Sequence, residues 1–164
     1  MIDRRSFLKA GLAGSALLAA GGLAAWFMGR DATRDRDEVL AALIPVLLAG
    51  ALPERGDDRA RAVSRCTLAV GKAVEGLSPA AQHEAGQLFA LLSIAPTRAL
   101  TTGITGPWAQ ASPEEIGAFL DRWRFHSWAL LQTGYQALHD LVTGSWYADE
   151  AAWSAIGYGG PLKL

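Results

Sequence analysis

Residues 112–144 read SPEEIGAFLDRWRFHSWALLQTGYQALHDLVTG, and this stretch decides the fold. Ser112 has the type of a helix N-cap, Pro113 suits the first helical position, and Glu115 completes a capping box three residues after the serine. Ile116, Phe119, Leu120, Trp123, Leu130, Leu131, Leu138 and Leu141 then form one stripe at helical spacing. The pattern predicts a long helix running to about Val142, bent near His126-Ser127. A second stripe, Phe125, Trp128, Gln132, Tyr135 and His139, lies on a different face at i, i+3, i+7, i+10 and i+14. A helix with two apolar faces is either central in its own bundle or bound to something else, and the pattern alone leaves both open.

Upstream, the same signals recur. Ser78-Pro79 opens a helix expected to run to about Ile94, with Pro96 as its stop. Residues 95–111 hold Thr97, Thr101, Thr102, Gly103, Thr105, Gly106 and Pro107, and read as a loop or a short irregular turn. Asp57-Asp58 starts a helix with apolar positions Ala62, Val63, Cys66, Ala69, Val70 and Val74, ending near Gly76. Its other face, Arg59, Arg61, Arg65 and Lys72, reads as a solvated surface. Val39, Leu40, Leu43, Ile44, Leu47 and Leu48 give Asp37 to Gly50 a helical period, which Pro45 kinks or shortens. Nothing alternates with period two over more than a few residues, so a sheet is unsupported. The expected fold is all-α: a small irregular bundle of about four to five helices over residues 37–164, after an N-terminal signal or anchor helix within residues 1–36.

The chain's 164 residues allow one such domain and exclude two substantial ones. A net charge of -1, with 51% hydrophobic and 19% charged residues, argues against a basic nucleic-acid surface and against a disordered acidic chain. One cysteine, Cys66, excludes a disulfide framework and a thiolate zinc site, and its position on an apolar helix face reads as a small core residue.

The N-terminus is of another kind. Asp3-Arg4-Arg5-Ser6-Phe7-Leu8-Lys9 precedes a run from Gly11 to Met28 in which Ser15 is the only polar side chain. The arginine pair Arg4-Arg5, then Phe7, Leu8 and Lys9, then a weakly hydrophobic Ala/Gly-rich run, resemble a bacterial twin-arginine translocation signal. An uncleaved membrane anchor is the alternative, since 18 residues span roughly 27 Å as a helix. Both readings put the body outside the cytoplasm, in the periplasm, and no clean Ala-x-Ala site decides between them. Beyond residue 36 the chain has 9 basic and 13 acidic residues, a net charge of -4. Twin-arginine export carries folded cargo, which implies a partner or cofactor acquired in the cytoplasm.

No set of residues makes a convincing reaction site. His83-Glu84 lacks the second histidine of a zinc-protease helix, and His126 and His139 are too far apart to share a turn. A lone histidine among aromatics is most often a hydrogen-bonded packing residue. No serine sits in a Gly-x-Ser-x-Gly elbow, and Gly157-Tyr158-Gly159-Gly160-Pro161 has no preceding strand to make a phosphate cradle. The carboxylate pairs Asp57-Asp58 and Glu114-Glu115 fall in first helical turns, where the helix dipole accounts for them. Catalytic, cofactor-binding and metal residues are therefore expected to be absent from this chain.

The C-terminal residues carry a resemblance. Trp146-Tyr147, then Asp149-Glu150 and Trp153, then Ala155-Ile156-Gly157-Tyr158-Gly159-Gly160-Pro161-Leu162 resemble the C-terminal signature of the gluconate 2-dehydrogenase subunit 3 family. Gly159 stands where that family usually has the first proline of its Ile-Gly-Tyr-Pro-Gly-Pro motif. Leu138-His139-Asp140-Leu141-Val142-Thr143-Gly144 also suits the family's last long helix, and the arginine-pair signal is common in it. The likeness is specific over residues 112–164 and general before that. It implies a small noncatalytic helical subunit of an exported oxidoreductase complex. Its implied partner is a large FAD-dependent sugar or alcohol dehydrogenase of the glucose-methanol-choline (GMC) type, often joined by a cytochrome c subunit carrying haem c. The small subunit supplies the signal read by the twin-arginine translocase and escorts the flavoprotein, so FAD and the catalytic base belong to the partner. Ten of the chain's 14 aromatic residues lie in 108–164. The residues expected to meet the partner are Phe125, Trp128, Tyr135, His139, Trp146, Tyr147, Trp153, Tyr158 and Pro161, several of which suit internal packing equally well. The alternative function is an independent periplasmic binding module that uses the Trp/His-rich face for a small ligand.

Overall fold

The computed structural model describes residues 31–54 and 56–153, and every regular element among them is a helix, as the periodicity predicts. The export motif Arg4, Arg5, Phe7, Leu8 and Lys9, the apolar run 11–28, and Tyr158 and Pro161 lie outside the described residues.

Helix α1 spans Ala32–Leu47, five residues ahead of the start that apolar spacing gives at Asp37. The reason is Asp31, whose carboxylate accepts hydrogen bonds from the backbone N–H groups of Thr33 at 3.0 Å and Arg34 at 3.2 Å. Val39, Leu40, Leu43 and Ile44 are fully buried along one face. Pro45 shortens the helix, which ends two residues later, and Gly50 takes the left-handed backbone (φ 84°) that the following turn requires.

Helix α2 (Gly56–Glu75) carries Asp57 and Asp58 in its first turn and buries Ala62, Cys66, Thr67, Val70 and Gly71. At Gly71 the guanidinium of Arg36 crosses the helix: a Cβ there would lie 2.9 Å from Arg36 Nη2. Arg36 is in turn paired with Asp37 at 2.8 Å, so α1 and α2 meet through an ion pair lying on a glycine. Helix α3 (Pro79–Ser93) starts as expected, with Ser78 Oγ accepting from Ala81 N–H.

The segment expected to be a loop contains helix α4, Ala95–Thr102. Pro96 does not merely stop α3; it sits in the first turn of α4, where its missing N–H has no helical acceptor in any case. The threonines hold the helix by donating to earlier carbonyls: Thr97 to Leu91 and Ile94, Thr101 to Thr97, and Thr102 to Arg98. Buried Arg98 bonds the carbonyls of Ser93 and Ile104. Gly103 (φ 76°) closes α4. A 3-10 turn, Trp108–Gln110, then lodges the Trp108 ring in the core, its indole N–H on the carbonyl of Leu92 at 2.9 Å.

The expected long helix is two helices. Helix α5 runs Pro113–Arg124 behind a complete Ser112/Glu115 capping box, and α6 runs Ala129–Tyr147, with a short α7 (Glu150–Trp153) after it. Trp123 explains the break. Its ring lies against Gly134 of α6, where a Cβ would be 2.8 Å from Cζ3. A continuous helix holds residues 123 and 134 three turns apart, so this contact requires the chain to fold back between them.

Helix α1, and not the last long helix, is central among the described elements. Helix α1 touches α2, α3, α5, α6 and the Trp108 turn, while α2 packs on α6, α3 on α4, and α5 on α6. The core joins the buried face of α1 to Phe89, Leu92, Trp108, Phe119, Trp123, Leu138 and Val142. Burying each such large side chain contributes about 1.5–3 kcal/mol.

Candidate functional site

The break between α5 and α6 exposes the second stripe. Trp123 is pinned inward: its indole N–H donates to the carbonyl of Thr101 at 2.9 Å, and its ring meets Phe119 edge-on, centroids 5.5 Å apart. The chain must then leave the helix, and Phe125 is the C-cap, its N–H bonded to the carbonyl of Asp121. The next side chains point outward. Phe125 is 74% exposed and Trp128 63% exposed.

The corner between them is ordered by local bonds. His126 Nδ1 accepts the backbone N–H of Trp128 at 3.0 Å, and the two rings stand nearly edge-to-face at 5.8 Å. The Arg124 guanidinium lies 5.2 Å from the centroid of Phe125 and 5.8 Å from that of Tyr135, within cation–π range of both. Tyr135 stacks on His139 at 5.8 Å, and His139 Nδ1 is 3.1 Å from Asp140 Oδ1. The Gln136 amide donates to the same carboxylate at 2.7 Å; this bond first, and His139 second, hold the Asp140 carboxyl below its usual pKa. Phe125, Tyr135 and His139 are thus linked through Arg124, a residue the sequence pattern does not single out, while Trp128 is tied to the same corner through His126. The signal was its place in Trp123-Arg124-Phe125, between one ring that turns in and one that turns out.

The remaining expected interface residues divide. Trp146 is a correction: it is buried in the core, because its position on α6 faces the bundle beside Val142. Among the described residues its Nε1, like Ser145 Oγ next to it, has no hydrogen-bond partner. Tyr147 is exposed, and its carbonyl accepts the indole N–H of half-buried Trp153 at 2.9 Å, so Trp153 packs back on the end of α6.

The other chemical candidates are accounted for locally. His83 is exposed and bonded to the Gln87 amide one turn on. Among the described residues no three His, Cys, Asp or Glu side chains gather as metal ligands. Cys66 is buried, its thiol 3.8 Å from the carbonyl of Val142; burial, and then the Asp149 carboxylate, push its pKa up to about 11, away from nucleophilic use. A cavity of about 170 Å³ opens between the start of α1, the end of α2 and α3, beside Arg36, Gln82 and Phe89. Small-molecule sites usually exceed about 300 Å³. Among the described residues, no helix is long and apolar enough to cross a membrane.

Compared with known proteins, the chain matches no family model, no curated protein and no solved structure.

Proposed function

We propose that this chain is the noncatalytic small subunit of an exported FAD-dependent sugar or alcohol dehydrogenase complex, escorting a large flavoprotein through the twin-arginine route to the periplasm. The observation that carries the reading is the pair Phe125 and Trp128, held out from an ordered corner in which Arg124, Tyr135 and His139 continue the same surface. The two exposed rings present about 300 Å² of largely apolar surface, taking roughly 150–250 Å² for each whole side chain. Exposed aromatic side chains beside an arginine are the residue types enriched at protein interfaces. The C-terminal residues Trp146-Tyr147 through Leu162 and the Arg4-Arg5 motif supply the resemblance that names the partner as a GMC-type flavoprotein. On this reading FAD sits in the large subunit, with haem c in a cytochrome subunit where one is present.

The test is the arginine pair. In the native host, Arg4→Lys with Arg5→Lys should leave this chain and the dehydrogenase activity together in the cytoplasm. Dehydrogenase still reaching the periplasm in that strain overturns the escort reading.

A further inference from the structure

The strongest feature left over is Arg124. Its guanidinium is flanked by the rings of Phe125 and Tyr135, and among the described residues it has no hydrogen bond and no ion pair. Asp121, one turn earlier on α5, does not pair with it, and Asp140 on α6 is engaged by Gln136 and His139. No carboxylate among the described residues lies within ion-pair distance of the guanidinium. The two rings accept no hydrogen bond in the ordinary sense, so the guanidinium N–H groups, whose fork matches a carboxylate in a two-pronged bond, remain for another acceptor. The contacts also restrict the side chain before any partner arrives, so less rotamer freedom is lost on binding. Phe125 and Trp128 beside it provide apolar surface on which flanking side chains can rest.

We infer that Arg124 is a carboxylate-recognition anchor: the α5–α6 corner docks a segment of the partner protein in which an Asp or Glu side chain stands next to apolar residues. This deepens the escort-subunit reading and rests on it. Charge complementarity selects the occupant, since a wholly apolar segment leaves the guanidinium desolvated without an acceptor. A basic segment meets like charge there.

The experiment places a photo-crosslinking amino acid at position 125 or 128 of the full-length tagged chain in its native host, with the exposed α2 position 68 as control (Leu68, 64% exposed). Crosslinks from 125 and 128, but not 68, should join a larger co-purifying chain at a peptide containing Asp or Glu. Arg124→Glu should lower recovery of that chain more than tenfold. Arg124→Lys, which keeps the charge and loses the planar fork, should lower it several-fold. Replacing the crosslinked carboxylate by arginine should restore recovery with Arg124→Glu. Circular dichroism of the variants should be unchanged, because Arg124 is exposed.

Undiminished recovery with Arg124→Glu, or crosslinks from position 68 only, overturns the anchor while leaving the escort reading intact. So does crosslinking of 125 and 128 to a second copy of this chain. Absence of any larger chain with the wild-type protein overturns the escort reading and the anchor with it.

Discussion

Gly134→Ala should destabilise the protein although it improves helix propensity. Alanine in place of glycine inside a helix is worth about 1 kcal/mol. Against it stands the Trp123 ring, 2.8 Å at Cζ3 and 3.2 Å at Cε3 from where the new Cβ would be. That ring has little room to retreat: it is 1% exposed, its N–H is bonded to Thr101, and its edge contact with Phe119 fixes the other side. Overpacking a core contact of this kind costs about 1–3 kcal/mol. The net expectation is a loss of about 1 kcal/mol. Gly144→Ala, in the same helix with open space around its Cβ, provides the reference and should gain up to about 1 kcal/mol. Because both variants carry the same propensity gain, the difference between them isolates the clash at about 1–3 kcal/mol. Urea unfolding of the full-length variants, followed by circular dichroism, measures both. Equal stabilisation by the two substitutions, within about 0.5 kcal/mol, refutes the packing of Trp123 on Gly134 and with it the explanation of the α5–α6 break.

Other outcomes follow from the same geometry. Ser112→Ala removes the capping-box acceptor and should cost about 1 kcal/mol in the same unfolding assay. Trp123→Phe breaks the bond to Thr101 whereas Trp146→Phe removes a buried donor that has no partner among the described residues, so the first should destabilise more than the second. Trp128→Ala should leave stability within about 0.5 kcal/mol. In pull-downs the same variant should retain the partner more weakly by about 2 kcal/mol or more. For Cys66 the sign is set by its raised pKa. The folded state holds the thiol proton more tightly than the unfolded chain, so this contribution is complete below about pH 9 and is lost as pH rises toward about 11. Stability measured from pH 8 to 11 should fall less steeply in Cys66→Ala than in the wild type.

The all-helical class was legible because its determinants are local: apolar residues at i, i+3 and i+4, and the Ser78-Pro79 and Ser112-Pro113 starts that the structure reproduces. What escaped was decided by contacts distant in sequence or by side chains with double meanings. The stripe skips His126 and Ser127, where the sequence indicates a bend, but resumes in phase at Leu130; the full break, with the chain folded back, depends on Trp123 meeting Gly134. Helix α4 is built from proline and threonines, poor formers held by back-bonding and by Arg98. Asp31, just past an apolar run and a basic residue, reads as linker until its carboxylate is seen capping α1. At the candidate site, Phe125, Trp128, Tyr135 and His139 were identifiable as a second face of the helical pattern. Sequence spacing cannot separate Trp146 from them, because an aromatic at a helix end points inward or outward according to its neighbours.

The central claim, association with a flavoprotein, is met most directly by affinity purification of the C-terminally tagged full-length chain from its native host, followed by an absorption spectrum. A flavin spectrum and a co-purifying chain several times larger than 164 residues are expected. A colourless protein recovered alone contradicts that claim.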